Sequence, residues 1–225
     1  NQDWEQTVGI DIRKLEDDTY GIYTPLTEMM AKSAADHPDY QIVQLINNGF
    51  TNNGWDGQAF FSADHTLRQD ADGADVTFTN STNVALSESN YDTVRNALLT
   101  NLQGGDTPFM PGNVELLLFC SQSLEGTARK ILLADQNELG ETNIYKGTAD
   151  MFVSSQITAG YWGLMVTNNP IMPFIYQLSQ VVYIYTQDFN EYEIKKTREA
   201  LFMADYRAAF GYGLPVLAYG STGSE

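Results

Sequence analysis

Residues 24–48 read TPLTEMMAKSAADHPDYQIVQLINN, and we expect the fold to be organised around this stretch. Thr24 is a favourable N-cap because its hydroxyl can accept a hydrogen bond from a free amide of the first turn. Pro25 follows at the first helical position, where no amide hydrogen is needed. Apolar and small side chains then recur at the spacing of one helical face. This spacing predicts a buried stripe made of Leu26, Met29, Met30, Ser33 and Ala34.

One interruption of this helix is predicted near His37 and Pro38, because proline lacks an amide hydrogen and its ring clashes with the preceding turn. A second apolar run follows, made of Ile42, Val43, Leu45 and Ile46. Gly49 is then predicted to end the helix in the left-handed conformation. Two helices in succession would span roughly 35 Å at about 1.5 Å per residue. An element of this length suits a scaffold better than an active site.

The composition is that of an acidic chain that can build a full core. Its 225 residues include 12 Lys and Arg against 29 Asp and Glu, so the net charge is −17, and 43% of the residues are hydrophobic. The length allows one domain, or one body with an attached lobe. The hydrophobic fraction excludes a disordered chain. The negative charge excludes a protein whose overall field attracts the phosphate backbone of nucleic acids.

Cys120 is the single cysteine, which excludes an intrachain disulfide and a zinc site built from several cysteines. Its position inside an apolar run predicts a buried, unreactive thiol. No apolar stretch has the length of a membrane span, and no signal peptide is visible at the N-terminus. The chain does not begin with Met, so we expect that its true beginning was removed or lies outside this sequence.

The remaining pattern predicts both helices and strands. Residues 3–20 alternate loosely and predict a strand that ends in a turn at Glu16, Asp17 and Asp18. The other predicted elements are a helix from Ser87 with Tyr91, Val94, Leu98 and Leu102 on its apolar face, a buried strand at 114–120, a helix carrying Leu124, Ala128, Ile131 and Leu132, and strands at 151–157, 162–166, 174–178 and 181–185. The pattern as a whole predicts an α+β protein with a compact α/β lobe.

Asp56, Asp64 and His65 form a cluster of a histidine with carboxylates in the sequence. Such a group can act as a general base or hold a metal ion. We favour a role in capping a loop, because no nucleophile with a recognisable turn or spacing accompanies the cluster.

A calcium loop is not predicted at Asp70, Asp72 and Asp75, because the glycine and glutamate of an EF-hand are not at their required positions. No GxSxG, HExxH, CxxC or Walker motif occurs either. The residues by themselves therefore predict an acidic α+β protein without a convincing catalytic set, metal site or cofactor site.

Short motifs in this chain occur in the same order as in one family of phage proteins. They are Trp4-Glu5-Gln6-Thr7-Val8-Gly9-Ile10, Leu15-Glu16-Asp17-Asp18, Gly21-Ile22-Tyr23, Ala35-Asp36-His37-Pro38-Asp39, Trp55-Asp56-Gly57-Gln58, Phe60-Phe61, Asp64-His65, Leu124-Glu125-Gly126-Thr127-Ala128, Pro173-Phe174-Ile175-Tyr176-Gln177, Gly211-Tyr212-Gly213 and Leu217-Ala218-Tyr219-Gly220-Ser221-Thr222-Gly223. Each motif is weak alone, but together they are specific. On these residues the chain resembles the major head proteins (gpT) of Mu-like phages and prophages.

The resemblance implies the Hong Kong ninety-seven-like capsid fold of tailed phages and herpesviruses. This α+β fold has a long spine helix, a peripheral domain and an axial domain. The implied boundaries are the end of an extended loop at 1–18, the peripheral domain at 19–86 with the spine helix at 24–48, the axial domain at 87–148, and the return strands at 149–225. The family's N-terminal arm and the first half of its extended loop are expected to be absent from this chain.

The resemblance also implies a function. The implied function is that of a major capsid protein and not of an enzyme. Its copies are expected to assemble into pentamers and hexamers of an icosahedral head shell. The shell encloses phage DNA without binding it specifically, and its acidic wall is expected to repel DNA. The implied partners are further copies of the chain and decoration, scaffold, portal and protease proteins, with no membrane and no cofactor. The implied location is the virion, after assembly in the host cytoplasm.

Two other classes of function stay open. The first is an acidic α+β enzyme or ligand-binding protein with its site at Asp56, Asp64 and His65. The second is a carbohydrate-binding or decoration module of a virion, which the content of Tyr and Trp suggests.

Overall fold

The structure, a computed structural model, describes residues 1–18, 21–69, 75–103, 113–137, 140–186 and 197–223. The chain divides into two compact units. Unit 1 contains Asn1–Ile42 and Tyr176–Phe210, and unit 2 contains Val43–Ile175 and Gly211–Glu225. Each unit is therefore built from two segments that are far apart in the sequence.

The described residues form helices and strands in mixed order. In chain order these elements are β1 (Gln2–Asp11), α1 (Ile12–Glu16), α2 (Tyr23–Asn48), β2 (His65–Gln69), β3 (Asp75–Phe78), β4 (Ser81–Thr82), α3 (Glu88–Gln103), β5 (Leu116–Ser121), α4 (Glu125–Leu133), β6 (Asp150–Ser154), β7 (Trp162–Val166), β8 (Phe174–Thr186), β9 (Glu199–Tyr212) and β10 (Ala218–Ser221). Two 3₁₀ turns, Gln122–Leu124 and Pro215–Leu217, precede α4 and β10.

Strand β9 is the middle strand of a sheet with the order β1-β9-β8 among the described residues. Its antiparallel register with β1 places Gln2 opposite Ala208. The strand predicted at residues 3–20 is confirmed as far as residue 11 and is wrong from residue 12 to residue 18, while residues 19–20 lie outside the described residues. The Asp11 carboxylate accepts a hydrogen bond from the Arg13 amide at 2.9 Å, and this cap starts helix α1.

Helix α2 runs without a break from Tyr23 to Asn48, so the predicted interruption near Pro38 is wrong. A proline inside a helix costs about 3 kcal/mol, because one backbone hydrogen bond is lost. The turns on both sides of it are anchored by Met30, Val43 and Ile46, which are all buried. Each fully buried side chain of this kind contributes about 1.5–3 kcal/mol, which offsets the cost of the proline.

The first turns of α2 also differ from the prediction. The Asp18 carboxylate accepts hydrogen bonds from the amides of Ile22 and Tyr23, at 3.1 and 3.2 Å, whereas Thr24 lies inside the helix. The predicted buried stripe is wrong as well. Leu26 is 41% exposed and Met29 is 69% exposed, while only their neighbour Met30 is buried at this level of the helix. This part of the helix therefore presents apolar side chains to the surface of the single chain.

Unit 2 contains a mixed sheet whose strand order is β4-β10-β7-β5-β6 among the described residues. Strand β10 pairs parallel with β4 and antiparallel with β7, while β5 pairs antiparallel with β7 and parallel with β6. Helices α3 and α4 contribute their apolar faces to the core. The predicted apolar positions that are confirmed as buried are Tyr91, Val94, Leu98, Leu102, Ala128, Ile131 and Leu132. The buried strand predicted at 114–120 is confirmed as β5.

A third sheet joins β2 to β3 in antiparallel pairing, with His65 opposite Phe78. The two strands belong to the polar segment in which a calcium loop was not predicted. Asp70 and Asp72 lie outside the described residues. The chain before β2 forms turns from residue 49 to residue 64, as its Asn and Gly content predicts.

The Phe61 ring lies between two glycines of unit 2. A Cβ atom added to Gly49 would lie 2.7 Å from the ring, and one added to Gly220 would lie 2.8 Å from it. Phe61 is itself buried, so its ring has no room to move. Gly49 does not adopt a positive φ, which makes the predicted left-handed helix end wrong. Close contact with an aromatic ring, and not backbone conformation, is what requires glycine at this position.

We expect Gly49→Ala and Gly220→Ala each to lower the free energy of unfolding by about 1–3 kcal/mol, because the added methyl group overpacks the core against Phe61. Gly126→Ala is the matched control, since a Cβ atom there meets nothing within 4 Å and alanine favours helix α4. Urea unfolding followed by circular dichroism measures the difference. Equal stability of all three variants would show that the ring does not limit these positions.

Candidate functional site

His65 and Asp56, two residues of the predicted cluster, form a hydrogen-bonded pair in unit 2. The His65 Nδ1 atom lies 2.6 Å from Asp56 Oδ2, and the histidine side chain has no exposed surface. Asp56 belongs to the turn before β2, and His65 is the first residue of β2. The pair therefore ties a turn to the start of a strand. The Phe78 ring on the opposite strand stacks on the imidazole at 4.9 Å.

Both nitrogens of the His65 ring face hydrogen-bond acceptors. Nδ1 faces the Asp56 carboxylate, and Nε2 lies 3.1 Å from the Phe60 carbonyl oxygen. Because neither acceptor can donate, both hydrogen bonds are made only when each ring nitrogen carries a hydrogen. Each polar atom of the ring is committed to a neighbour inside the protein, which is the arrangement of a structural pair.

Asp64, the third residue of the alternative active site, does not belong to this pair, because its side chain is exposed. Its backbone amide donates a hydrogen bond to Ser62 Oγ at 3.3 Å. The side chain lies on the surface, while the neighbouring His65 is fully buried. In the described ranges, no group of three or more His, Cys, Asp and Glu side chains is placed to hold a metal ion.

Asn80, which the sequence did not single out, completes the polar network around His65. Its side-chain nitrogen donates to the carbonyl oxygens of Phe60 and Pro215, at 2.9 Å each, and its side-chain oxygen accepts from the Ser62 amide at 2.8 Å. Asn80 is fully buried. No local pattern could have identified it, because its partners come from two distant parts of the chain, residues 60–62 and Pro215.

The turn held by Asp56 also displays Trp55, whose side chain is 67% exposed. The Asp56 carboxylate accepts from the Gln58 amide at 3.2 Å through Oδ1 while Oδ2 binds His65. The Gly54 amide donates to the Gln58 carbonyl oxygen at 2.6 Å, and Gly57 closes the turn with a φ of 81°. Glycine tolerates this left-handed conformation, which other residues rarely adopt. The conformation of the turn is therefore held by hydrogen bonds of both its backbone and the Asp56 side chain.

Unit 1 contains the second histidine, His37 of α2. Its Nδ1 atom hydrogen-bonds the Tyr206 hydroxyl, and its Nε2 atom lies 3.0 Å from the Gln41 side-chain nitrogen. Because that nitrogen donates, Nε2 of His37 accepts, and the ring is neutral. The Trp4 ring lies 4.6 Å from the imidazole. Burial among these groups lowers the pKa of His37 below its ordinary value of 6.5.

Cys120 is fully buried in β5, as predicted. Burial, with a smaller contribution from the Glu125 carboxylate, raises the pKa of its thiol to about 11. The thiol is therefore protonated and unreactive near neutral pH. No helix in the described part of the chain is both long enough and apolar enough to cross a membrane.

Comparisons with known proteins point in one direction. Residues 1–87 match the family model described as Mu-like prophage major head subunit gpT. The major capsid protein of Escherichia phage Mu is 44% identical over 73 residues, which are 32% of this chain and 24% of that protein. The Mu-like prophage FluMu major head subunit of Haemophilus influenzae is 30% identical over 125 residues, which are 56% of this chain and 34% of that protein.

Solved structures of capsids share the fold. The procapsid of bacteriophage JBD30 aligns with a TM-score of 0.52 and 21% identity, over 98% of this chain and 51% of that chain. The capsid of cyanophage P-SCSP1u aligns with a TM-score of 0.62 and 7% identity, over 98% of this chain and 72% of that chain. The chain thus spans about half the length of the JBD30 chain. The predicted capsid fold is confirmed, and the predicted resemblance to Mu-like major head proteins is confirmed for the N-terminal part.

We expect His65→Ala to lower the free energy of unfolding by about 3–5 kcal/mol, because it leaves the Asp56 carboxylate buried without its partner. Asp64→Ala removes an exposed carboxylate next to it and should change stability by less than about 0.5 kcal/mol. Urea unfolding measures both variants. His65→Gln, which keeps one amide donor, should fall between them, and a His65→Ala variant as stable as Asp64→Ala would contradict the structural role.

The lowered pKa of His37 predicts that unit 1 loses stability as the pH falls below about 6.5. In this range the unfolded chain binds a proton that the folded histidine does not bind, so protonation favours unfolding. We expect the unfolding midpoint in urea to drop more between pH 7.5 and pH 5.5 for the wild type than for His37→Gln. Carboxylates titrate equally in both proteins, and identical drops would show that His37 is not responsible.

Proposed function

We propose that this chain is the major capsid protein of a Mu-like phage or prophage, and that its copies assemble into pentamers and hexamers of an icosahedral head shell. One observation carries the proposal. The N-terminal 87 residues match a family of major head subunits, while nearly the whole chain takes the fold of capsid proteins. The solved neighbours are assembled capsid shells, which supports assembly from many identical copies.

The proposal assigns a place in the shell to each part of the chain. Residues 1–18 are the end of the extended loop, and residues 19–86 form the peripheral domain with its spine helix. Residues 87–148 form the axial domain around the centre of each ring, and residues 149–225 return to the peripheral domain. The unbroken helix Tyr23–Asn48 supports a spine, because a helix of 26 residues is about 39 Å long.

The charge of the chain suits a container for DNA. A net charge of −17 repels phosphate groups, so the packaged genome can be dense without binding to the wall. In this proposal the shell assembles in the host cytoplasm and becomes part of the virion. Decoration, scaffold, portal and protease proteins are its further partners, and DNA is enclosed without sequence-specific contact.

The fold and the family resemblance favour a structural protein over an enzyme. The proposed alternative site supports the same choice. His65 is fully buried, and both of its ring nitrogens are hydrogen-bonded within the protein, so a substrate cannot reach them. A general base must lie within hydrogen-bond reach of its substrate.

We expect the full-length gene product to form rings or megadalton shells in mass photometry, and negative-stain images to show five- and sixfold rings or closed particles. Assembly should increase when the ionic strength rises from about 0.01 M to about 0.15 M, because the Debye length falls from about 30 Å to about 8 Å and the acidic copies repel less. A product that stays monomeric under both conditions would overturn the proposed function.

A further inference from the structure

Strand β8, an outer strand of the unit 1 sheet, has no charged side chain. No Asp, Glu, Lys or Arg occurs from residue 151 to residue 187, and β8 spans Phe174–Thr186 within this run. Among the described strands it pairs only with β9, and no described strand pairs with its second edge. Monomeric proteins usually protect such an edge with charged residues or proline. Strand β8 contains neither.

Both faces of the last part of this strand, residues 181–184, are apolar and exposed. Val181 and Tyr183 are 67% and 58% exposed on one face, and Val182 and Ile184 are 36% and 51% exposed on the other. Successive residues of a strand point to opposite faces of its sheet. A strand that is apolar on both faces is typical of one that is enclosed on both sides. The sequence at residues 181–184 is therefore that of a covered strand, although these four side chains are exposed in the described part of the chain.

The start of helix α2 carries a second uncovered apolar group in the same unit. Ile22, Leu26 and Met29 are 64%, 41% and 69% exposed. Their spacing of four and three residues places them on one face of the helix, with Ile22 just before its first residue. Leu26 and Met29 belong to the stripe that the sequence predicts to be buried. Its pattern is that of a packed helix, and the described residues of the single chain do not pack against it.

Net charge restricts where two copies of this chain can meet. Copies that each carry −17 repel one another, and the repulsion is smallest where the contact surfaces are uncharged. Rings of five or six copies also need a heterologous contact, in which one surface binds a different surface of the next copy. A contact of β8 with another β8 is isologous and closes at two copies. The chain offers two different apolar surfaces, as a ring requires.

We propose that residues 181–184 of β8 in one copy pack against the Ile22, Leu26 and Met29 face of helix α2 in the next copy of the chain. The inference rests on the proposed function, because only repeated assembly supplies the next copy. The contact removes apolar side chains of both surfaces from water, at about 25 cal/mol per Å². Each such contact can be weak, since closure of a ring adds avidity.

Cross-linking between introduced cysteines tests this contact in the full-length gene product. Cys120 does not interfere, because it is buried and its thiol pKa is raised to about 11. Particles of the double variant Val181→Cys with Met29→Cys are treated with a short bis-maleimide and separated on a denaturing gel. We expect a ladder of covalent multimers that reaches five or six copies. Either single variant should give no ladder.

Matched controls separate the proposed contact from general crowding in a particle. Ser89→Cys lies exposed on α3, and its combination with Val181→Cys should give no ladder. Val181→Glu should reduce the fraction of protein in particles at least tenfold, because it places a negative charge in an apolar contact of an acidic protein. Ser89→Glu adds the same charge at the start of a helix, where it is favourable, and should assemble normally.

The outcomes distinguish the contact from the proposed function. If the wild type assembles but the double variant gives no ladder and Val181→Glu assembles normally, the contact is wrong while the capsid function stands. Dimers from Val181→Cys alone would show an isologous contact and would also overturn the inference. If the wild type does not assemble under any condition, both proposals fail together. A ladder from the double variant alone, with assembly lost in Val181→Glu, supports the contact.

Discussion

The Phe61 ring imposes a packing constraint on two glycines of unit 2. It lies against Gly49 at the end of the long helix and against Gly220 in β10, and neither position has room for a methyl group. The rings of Phe50 and Phe60 lie within 5 Å of it, at 4.8 and 4.9 Å. Because Gly220 is far from the other residues in the sequence, one buried ring fixes the helix end and the following turn against the last strand.

A network of hydrogen-bonded polar side chains lies directly beside this apolar contact. The Phe60 carbonyl oxygen accepts hydrogen bonds from both His65 and Asn80, and His65 is in turn held by Asp56. A buried ion pair adds little net stability, since desolvation offsets most of its attraction. The hydrogen bonds of His65 and Asn80 to the Phe60 carbonyl oxygen nevertheless hold the backbone at Phe60. They therefore fix the position of the adjacent Phe61. We infer that this cluster contributes more to the position of the backbone at Phe60 and Phe61 than to the free energy of folding.

Local patterns predicted much of the fold, and distant contacts explain what they missed. Strand β7 and the buried face of α3 follow from the periodicity of their own residues. The pairing of Asp56 with His65 was within reach, because the two residues are close in sequence. The unbroken helix at Pro38 and the role of Asn80 depend on partners far along the chain. The capsid fold itself was identified from resemblance, since no single motif indicates it.

The pairing of β4 with β10 has a consequence for synthesis on the ribosome. Ser81 lies beside Gly220 in parallel register, and the Trp162 indole donates to the Val84 carbonyl oxygen at 2.9 Å. These contacts join residues that are translated far apart, so the core of unit 2 has a high contact order and is completed late. A chain that stops before residue 218 lacks the strand between β4 and β7. A chain whose synthesis is interrupted before β10 therefore cannot complete the fold of unit 2. We expect such a chain not to be incorporated into a growing particle.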